Sequence, residues 1–191
     1  MRSPKALFLD RDGVINVDAG YVHAVEAFRF VEGVFDLTRT AIGLGYLPVV
    51  VTNQAGIGRG YYSERQFVEL TEWMLGEFDR QGCPLAAVYY SPYHAEHGKG
   101  EYRRDTWCRK PNPGMLFDAK ARFGLDLSAS ALVGDKASDM VAALRAGVGL
   151  SILIGSDDAP LPEGVAPVIV PTVLDAETIL RSWACDNGKA P

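Results

Sequence analysis

A chain of 191 residues, 48% hydrophobic and 23% charged, has the size and composition of one globular domain with a sizeable core. Its net charge of −5 argues against a nucleic-acid or membrane-surface binder, and no run nears the ~18 apolar residues of a membrane span. Cys83, Cys108 and Cys185 are odd in number and far apart, which argues against a disulfide framework. The opening Met1-Arg2-Ser3-Pro4-Lys5 lacks the apolar region of a signal peptide. The expectation is a reduced, cytoplasmic protein, with one domain over residues 1–184 and a loose tail over 185–191.

Residues 6–10 read as a first strand, a short apolar run of the kind buried inside a sheet. An amphipathic helix over 33–44 follows, ending near Gly43 or Gly45, and Leu47 to Thr52 forms a second, β-branched run. Ser63 is the expected N-cap of a helix over 63–81, with apolar positions at Phe67, Leu70, Met74 and Phe78 and a stop at Gly82. Ala86 to Tyr90 is a third strand. The polar stretch from Ser91 to Pro113 has no apolar period, and loops of that length are usually functional or disordered. A short helix over 114–123, a strand over Ala131 to Gly134 and a helix over 137–146 come next. Strands over Leu150 to Ile154 and Val168 to Val170 precede a closing helix over 173–183. Strands alternating with helices predict an α/β fold, a doubly wound parallel sheet covered on both faces.

Chemistry gathers where the apolar runs end. The first run ends in Asp10-Arg11-Asp12-Gly13, two carboxylates that share a face by the strand period of two. Their like charges call for a cation, and a hard divalent ion such as Mg²⁺ suits them. Taken alone, the segment also fits a strand end followed by a solvated Asp-Gly turn. The second run ends in Thr52-Asn53-Gln54, the long loop in Arg109-Lys110-Pro111, and a later strand in Gly134-Asp135-Lys136 with Asp139. In a parallel sheet these ends line one edge, where ligands bind. Carboxylates for a metal, cations and a hydroxyl for phosphate oxygens, and a carboxylate nucleophile suit phosphoryl transfer.

In this order, Asp10-x-Asp12-Gly13-Val14, Thr52, Lys110 and Gly134-Asp135-x-x-x-Asp139 resemble the four motifs of the haloacid-dehalogenase-like phosphatases. Leu9 to Asn16, Val17 to His23, Val51 to Gly60, Cys108 to Met115 and Val133 to Lys136 are more closely similar to the D-glycero-D-manno-heptose 1,7-bisphosphate 7-phosphatase family. The resemblance covers roughly residues 6–155 and implies a Rossmann-like fold without a large cap domain, hence a monomer. It implies Asp10 as nucleophile, Asp12 as general acid and base, and Thr52 and Lys110 as phosphate ligands. Mg²⁺ would be held by the Asp10 carboxylate, the Asp12 backbone carbonyl and Asp135. Substrate contacts are expected from Arg11, from the loop Asp18, Ala19, Gly20 and Tyr21, and from Asn53, Gln54, Ala55 and Arg109, with Lys136 and Asp139 orienting Asp135 and Lys110. The implied substrate is a small phosphorylated sugar of nucleotide-activated heptose biosynthesis. Histidinol phosphate or another sugar phosphate is the rival, and Asp18-Ala19-Gly20-Tyr21-Val22-His23 sets the heptose family apart from histidinol-phosphate phosphatases.

Many members of that family hold a structural zinc in the long loop, through a Cys-x-His and a later Cys-x-Cys pair. Here Ser91-Pro92-Tyr93 and Thr106-Trp107-Cys108 stand at those positions, so three of the four ligands are missing and no zinc is expected. Tyr93 and Trp107 are expected to pack the loop instead. A phospho-acceptor receiver domain also uses an acidic pair, a hydroxyl and a Lys, but there the acceptor Asp follows the pair. A non-catalytic sugar-phosphate binder is disfavoured by the presence of both Asp10 and Asp12.

Overall fold

The computed structural model describes residues 3–155 and 161–187. Its centre is β1, Lys5–Leu9, whose side chains are buried on both faces. Leu7 and Leu9 join one apolar cluster while Ala6 and Phe8 join another, as the period of two requires. Each such Leu or Phe contributes about 1.5–3 kcal/mol by leaving water.

Around β1 the described residues build a six-stranded, all-parallel sheet. It contains β2, Tyr46–Asn53; β3, Ala87–Ser91; β4, Ala131–Gly134; β5, Leu150–Ile154; and β6, Val168–Val170, in the order β3-β2-β1-β4-β5-β6. One face packs on α1, Val34–Gly43, α3, Glu64–Arg80, and α6, Val173–Asn187, through Leu37, Met74, Phe78 and Leu180. The other packs on α4, Gly114–Phe123, and α5, Ala137–Ala146, through Met115, Leu116, Met140 and Ala143. The chain winds outward from β1 to β3, then returns to β4 and winds the other way. The crevice between the carboxyl ends of β1 and β4 is therefore the switch point where such sheets bind ligands.

Local sequence accounts for most boundaries. Ser63 caps α3 by accepting from the Gln66 N–H, and the Gln66 side chain accepts from the Ser63 N–H in return. Gly124 and Gly147 end α4 and α5 in the left-handed conformation.

Two elements differ from the sequence expectation. Ala55–Arg59 forms a short helix, α2, despite two glycines in five residues. Its support is tertiary: the Gly58 N–H donates to the Pro92 carbonyl (3.1 Å), and a Cβ at Gly58 would overlap that oxygen. The closing helix also runs on to Asn187, so residues 185–187 are helical rather than a loose tail. Its last turns are held because Trp183 and Ala184 pack against the core. The rest of that tail, 188–191, lies outside the described residues, as do Met1 and Arg2. The segments 11–33 and 91–113, in place of a cap domain, supply walls above the strand ends. No helix among the described residues is long and apolar enough to cross a membrane.

Candidate active site

Asp10 leaves the end of β1 almost fully buried and meets the Lys110 ammonium at 3.0 Å. Lys110 is also buried and lies 2.5 Å from Asp139, while donating to the Val51 carbonyl at 2.8 Å. The Arg11 N–H donates to Asp10 Oδ1 at 2.7 Å. Burial, together with the charges of Asp139 and Asp135, pushes the Asp10 carboxyl up to about 7 against the opposing pull of Lys110. Burial would lower Lys110, but the two carboxylates outweigh it and hold the ammonium above its ordinary value.

Asp12 is oriented by three different donors. The Arg11 guanidinium donates to it at 3.0–3.2 Å, Asn16 at 3.0 Å and the Gln54 amide at 2.9 Å. Gln54, itself buried, also donates to the Thr52 hydroxyl (2.8 Å) and accepts from Tyr62 (2.6 Å). One carboxamide thus links β2, Asp12 and the start of α3.

Across the switch point, Asp135 follows β4. Oxygens of Asp10, Asp135 and Asp139 lie within 4.8 Å of one another. Asp135 Oδ1 is buried and has no hydrogen-bond partner, and burial, with the neighbouring Asp139, pushes this carboxyl up to about 6. An orphaned oxygen in a cluster of carboxylates fits a hard divalent cation. Two glycines allow the approach: a Cβ at Gly13 would overlap the Asp135 carboxylate, and one at Gly134 the Asp139 side chain. Gly13 also has φ +89°, a conformation that L side chains rarely adopt.

A HAD-hydrolase-like family model matches residues 107–172. The chain is 51% identical over 184 residues to the D-glycero-alpha-D-manno-heptose-1,7-bisphosphate 7-phosphatase of Burkholderia mallei, spanning 96% of this chain and 97% of that protein. The chain belongs to the heptose-1,7-bisphosphate 7-phosphatase family. It is also 49% identical over 172 residues to the beta-anomer enzyme of Vibrio cholerae, covering 89% of this chain and 92% of that one. The D,D-heptose 1,7-bisphosphate phosphatase of B. bronchiseptica, solved with magnesium and phosphate, superposes with a TM-score of 0.79 at 26% identity, covering 94% of this chain and 99% of that one.

A cavity of about 560 Å³ opens above the acidic cluster and takes Asp10, Asp12, Gln54, Ala55, Arg109 and Lys110 into its wall. Asp18, Gly20 and Tyr21 face it from the segment after β1, although Ala19 is exposed and outside it. Asp18 accepts from the Gly20 N–H (3.0 Å) and pairs with Lys136 (3.1 Å), which also lies 3.5 Å from Asp135. Lys136 therefore stands at the mouth of the cavity as well as beside Asp135.

Three expected substrate-side residues are also engaged within the fold. The Arg11 side chain is sealed away from the cavity, spending its guanidinium on Asp12 and the Val22 carbonyl (2.7 Å). The Asn53 carboxamide, although at the wall, is engaged with the main chain of Lys110. Thr52 is buried beneath the wall, with its hydroxyl held by Gln54. Arg59, Tyr62, His94 and Ser138 line the cavity unannounced by the motif reading. Of these, only Arg59 lay inside a stretch that resembled the family, Val51 to Gly60.

Where the resemblance would place zinc ligands, the Cys108 thiol lies 3.3 Å from the Thr106 hydroxyl and 3.5 Å from the Ser91 hydroxyl. The Tyr93 hydroxyl accepts from Arg104 at 2.9 Å, and its ring packs on Tyr102. Trp107 stacks parallel to Phe117 of α4, with ring centroids 6.0 Å apart.

Proposed function

We propose that this chain is a Mg²⁺-dependent phosphatase that removes the C7 phosphate of D-glycero-D-manno-heptose 1,7-bisphosphate through an aspartyl-phosphate on Asp10. The observation that carries the reading is the buried Asp10–Lys110–Asp139 chain beside the orphaned oxygen of Asp135. The names of the similar proteins supply the substrate.

The Asp10 carboxylate attacks the C7 phosphorus, and the bond from phosphorus to the sugar oxygen breaks. Asp12 gives a proton to that leaving oxygen. It then takes a proton from the water that attacks the aspartyl-phosphate, releasing inorganic phosphate and restoring Asp10. Lys110 and the Thr52 hydroxyl neutralise and orient the transferring phosphoryl oxygens. The carboxylates of Asp10 and Asp135 and the Asp12 carbonyl would hold Mg²⁺, whose charge would further offset that of those oxygens. Gln54 and Arg11 hold Asp12 in place, and Asp139 holds Lys110.

Phosphate release from the α- and β-heptose 1,7-bisphosphates and from histidinol phosphate tests the reading. One bisphosphate anomer should show the highest kcat/KM, and Asp10→Asn should abolish its turnover. A higher kcat/KM for histidinol phosphate, or substantial turnover by Asp10→Asn, would contradict it.

A further inference from the structure

We propose that Arg59 and Arg109 form a paired-guanidinium clamp for the second phosphate of the substrate, with Arg59 the residue that sets the preference for a bisphosphate over a monophosphate. The inference rests on the bisphosphate reading above and assigns the part of the cavity that the phosphoryl-transfer residues leave unused.

Both arginines line the cavity that holds Asp10. Among the described residues neither makes an ion pair with a carboxylate, whereas Arg11, Arg39, Arg65, Arg80 and Arg181 each do. Asp105 acts on Arg109 only from beyond ion-pair distance, so the two neighbouring cations are incompletely neutralised. Their mutual repulsion is relieved when an anion enters between them. After burial, the charge of Arg59 is the largest influence holding Arg109 below its ordinary value, and both arginines depress His94 beside them.

Hydrogen-bonding capacity is also left open. Arg59 Nε is buried without a partner, and its guanidinium lies 5.8 Å from the Tyr21 ring centroid. Arg109 uses Nη1 to donate to the Tyr93 carbonyl (3.0 Å). A guanidinium fork matches phosphate oxygens two at a time, which a single ammonium cannot do. The phosphate at Asp10 already has Lys110 and Thr52, so the arginine pair is surplus to it.

The backbone is built to keep the pair together. Arg59 ends α2, and a Cβ at Gly56 or Gly58 would overlap the Tyr62 ring or the Pro92 carbonyl. That tight fit seats α2 on the loop that carries Arg109, so the clamp is set before substrate arrives.

The test is the ratio of kcat/KM for heptose 1,7-bisphosphate to that for heptose 7-phosphate, in wild type, Arg59→Ala and Arg59→Lys. The ratio should fall at least about tenfold in Arg59→Ala, through KM, with partial recovery in Arg59→Lys. Equal losses on both substrates, or an unchanged ratio, overturn the clamp. The same variants are then read with fructose 1,6-bisphosphate and fructose 6-phosphate as competitive inhibitors of p-nitrophenyl phosphate hydrolysis. A bisphosphate preference that falls in Arg59→Ala supports the clamp even where the heptose substrates are not turned over. No preference in wild type overturns it.

Discussion

The side-chain amide of Asn53 and the main chain of Lys110 exchange two hydrogen bonds, of 2.9 and 3.0 Å, across 57 residues of sequence. This exchange ties the end of β2 to Lys110, the proposed phosphate-binding lysine, and fixes where its side chain starts. Asn53→Ala should lower kcat by about 10–100-fold with a smaller change in KM, because the lysine is misplaced rather than removed. It should also lose about 1–3 kcal/mol of stability. Steady-state kinetics with thermal melting check both, and an unchanged kcat contradicts the positioning role.

Lys110 is the sole ion-pair partner recorded for Asp10 and Asp139 among the described residues, and all three groups are buried. Lys110→Met should therefore destabilise the protein by about 3–5 kcal/mol by leaving buried carboxylates unpaired. Adding Asp139→Asn to Lys110→Met should recover part of that loss. Denaturant melts of the single and double variants measure the coupling, and strictly additive losses would count against it.

Gly13→Ala places a methyl group where the Asp135 carboxylate lies and forces a side chain into a positive-φ position. Activity should fall by more than about 100-fold, and the rise in Tm on adding Mg²⁺ should vanish. A Gly13→Ala protein with a normal Mg²⁺-induced shift in Tm would show that the close approach is not required.

The acidic cluster makes metal-free stability depend on pH. The Asp135 carboxyl is pushed from 3.8 up to about 6 in the folded protein, chiefly by burial. Between those values the native state keeps a proton that the unfolded chain releases, so stability falls as pH rises through the window. In EDTA, Asp135→Asn should therefore gain on wild type by up to about 3 kcal/mol between pH 4 and 7. Mg²⁺ should stabilise wild type most at the upper end, where the carboxylates are ionised. A variant-to-wild-type difference that stays flat with pH would disprove this account.

The Cys108 thiol lies within hydrogen-bonding reach of both the Thr106 and the Ser91 hydroxyls, and Trp107 stacks on Phe117. The loop over 91–113 is accordingly expected to hold its place without zinc. Elemental analysis should find well under one zinc per chain after dialysis, and Trp107→Ala should lower Tm and raise KM through movement of Arg109. One tightly held zinc per chain would refute it.

The strands were legible because their apolar runs alternate between two cores, as Leu7 and Leu9 against Ala6 and Phe8 illustrate. Asp10, Lys110 and Asp135 were legible as members of a site because each directly follows an apolar run or stands beside a proline-ended loop. The short α2 was not, since two of its five residues are glycines that disfavour helix, and its support comes from Pro92 on a distant loop. The end of α6 was misjudged for a similar reason: the contacts that hold Trp183 belong to the core.

Sequence by itself determined the order of the elements, the parallel sheet and the gathering of polar groups at the strand ends, because these follow from periodicity and from chemistry placed where apolar runs stop. Only the tertiary structure decided what each polar side chain faces. It turned Arg11 inward to Asp12, used Asn53 to clamp Lys110, brought Asp139 close to the Asp10 and Asp135 carboxylates and left Arg59 open to the cavity. The physical reason is that a side chain's direction at the end of a strand is set by the partners that other segments bring, and those partners lie tens of residues away.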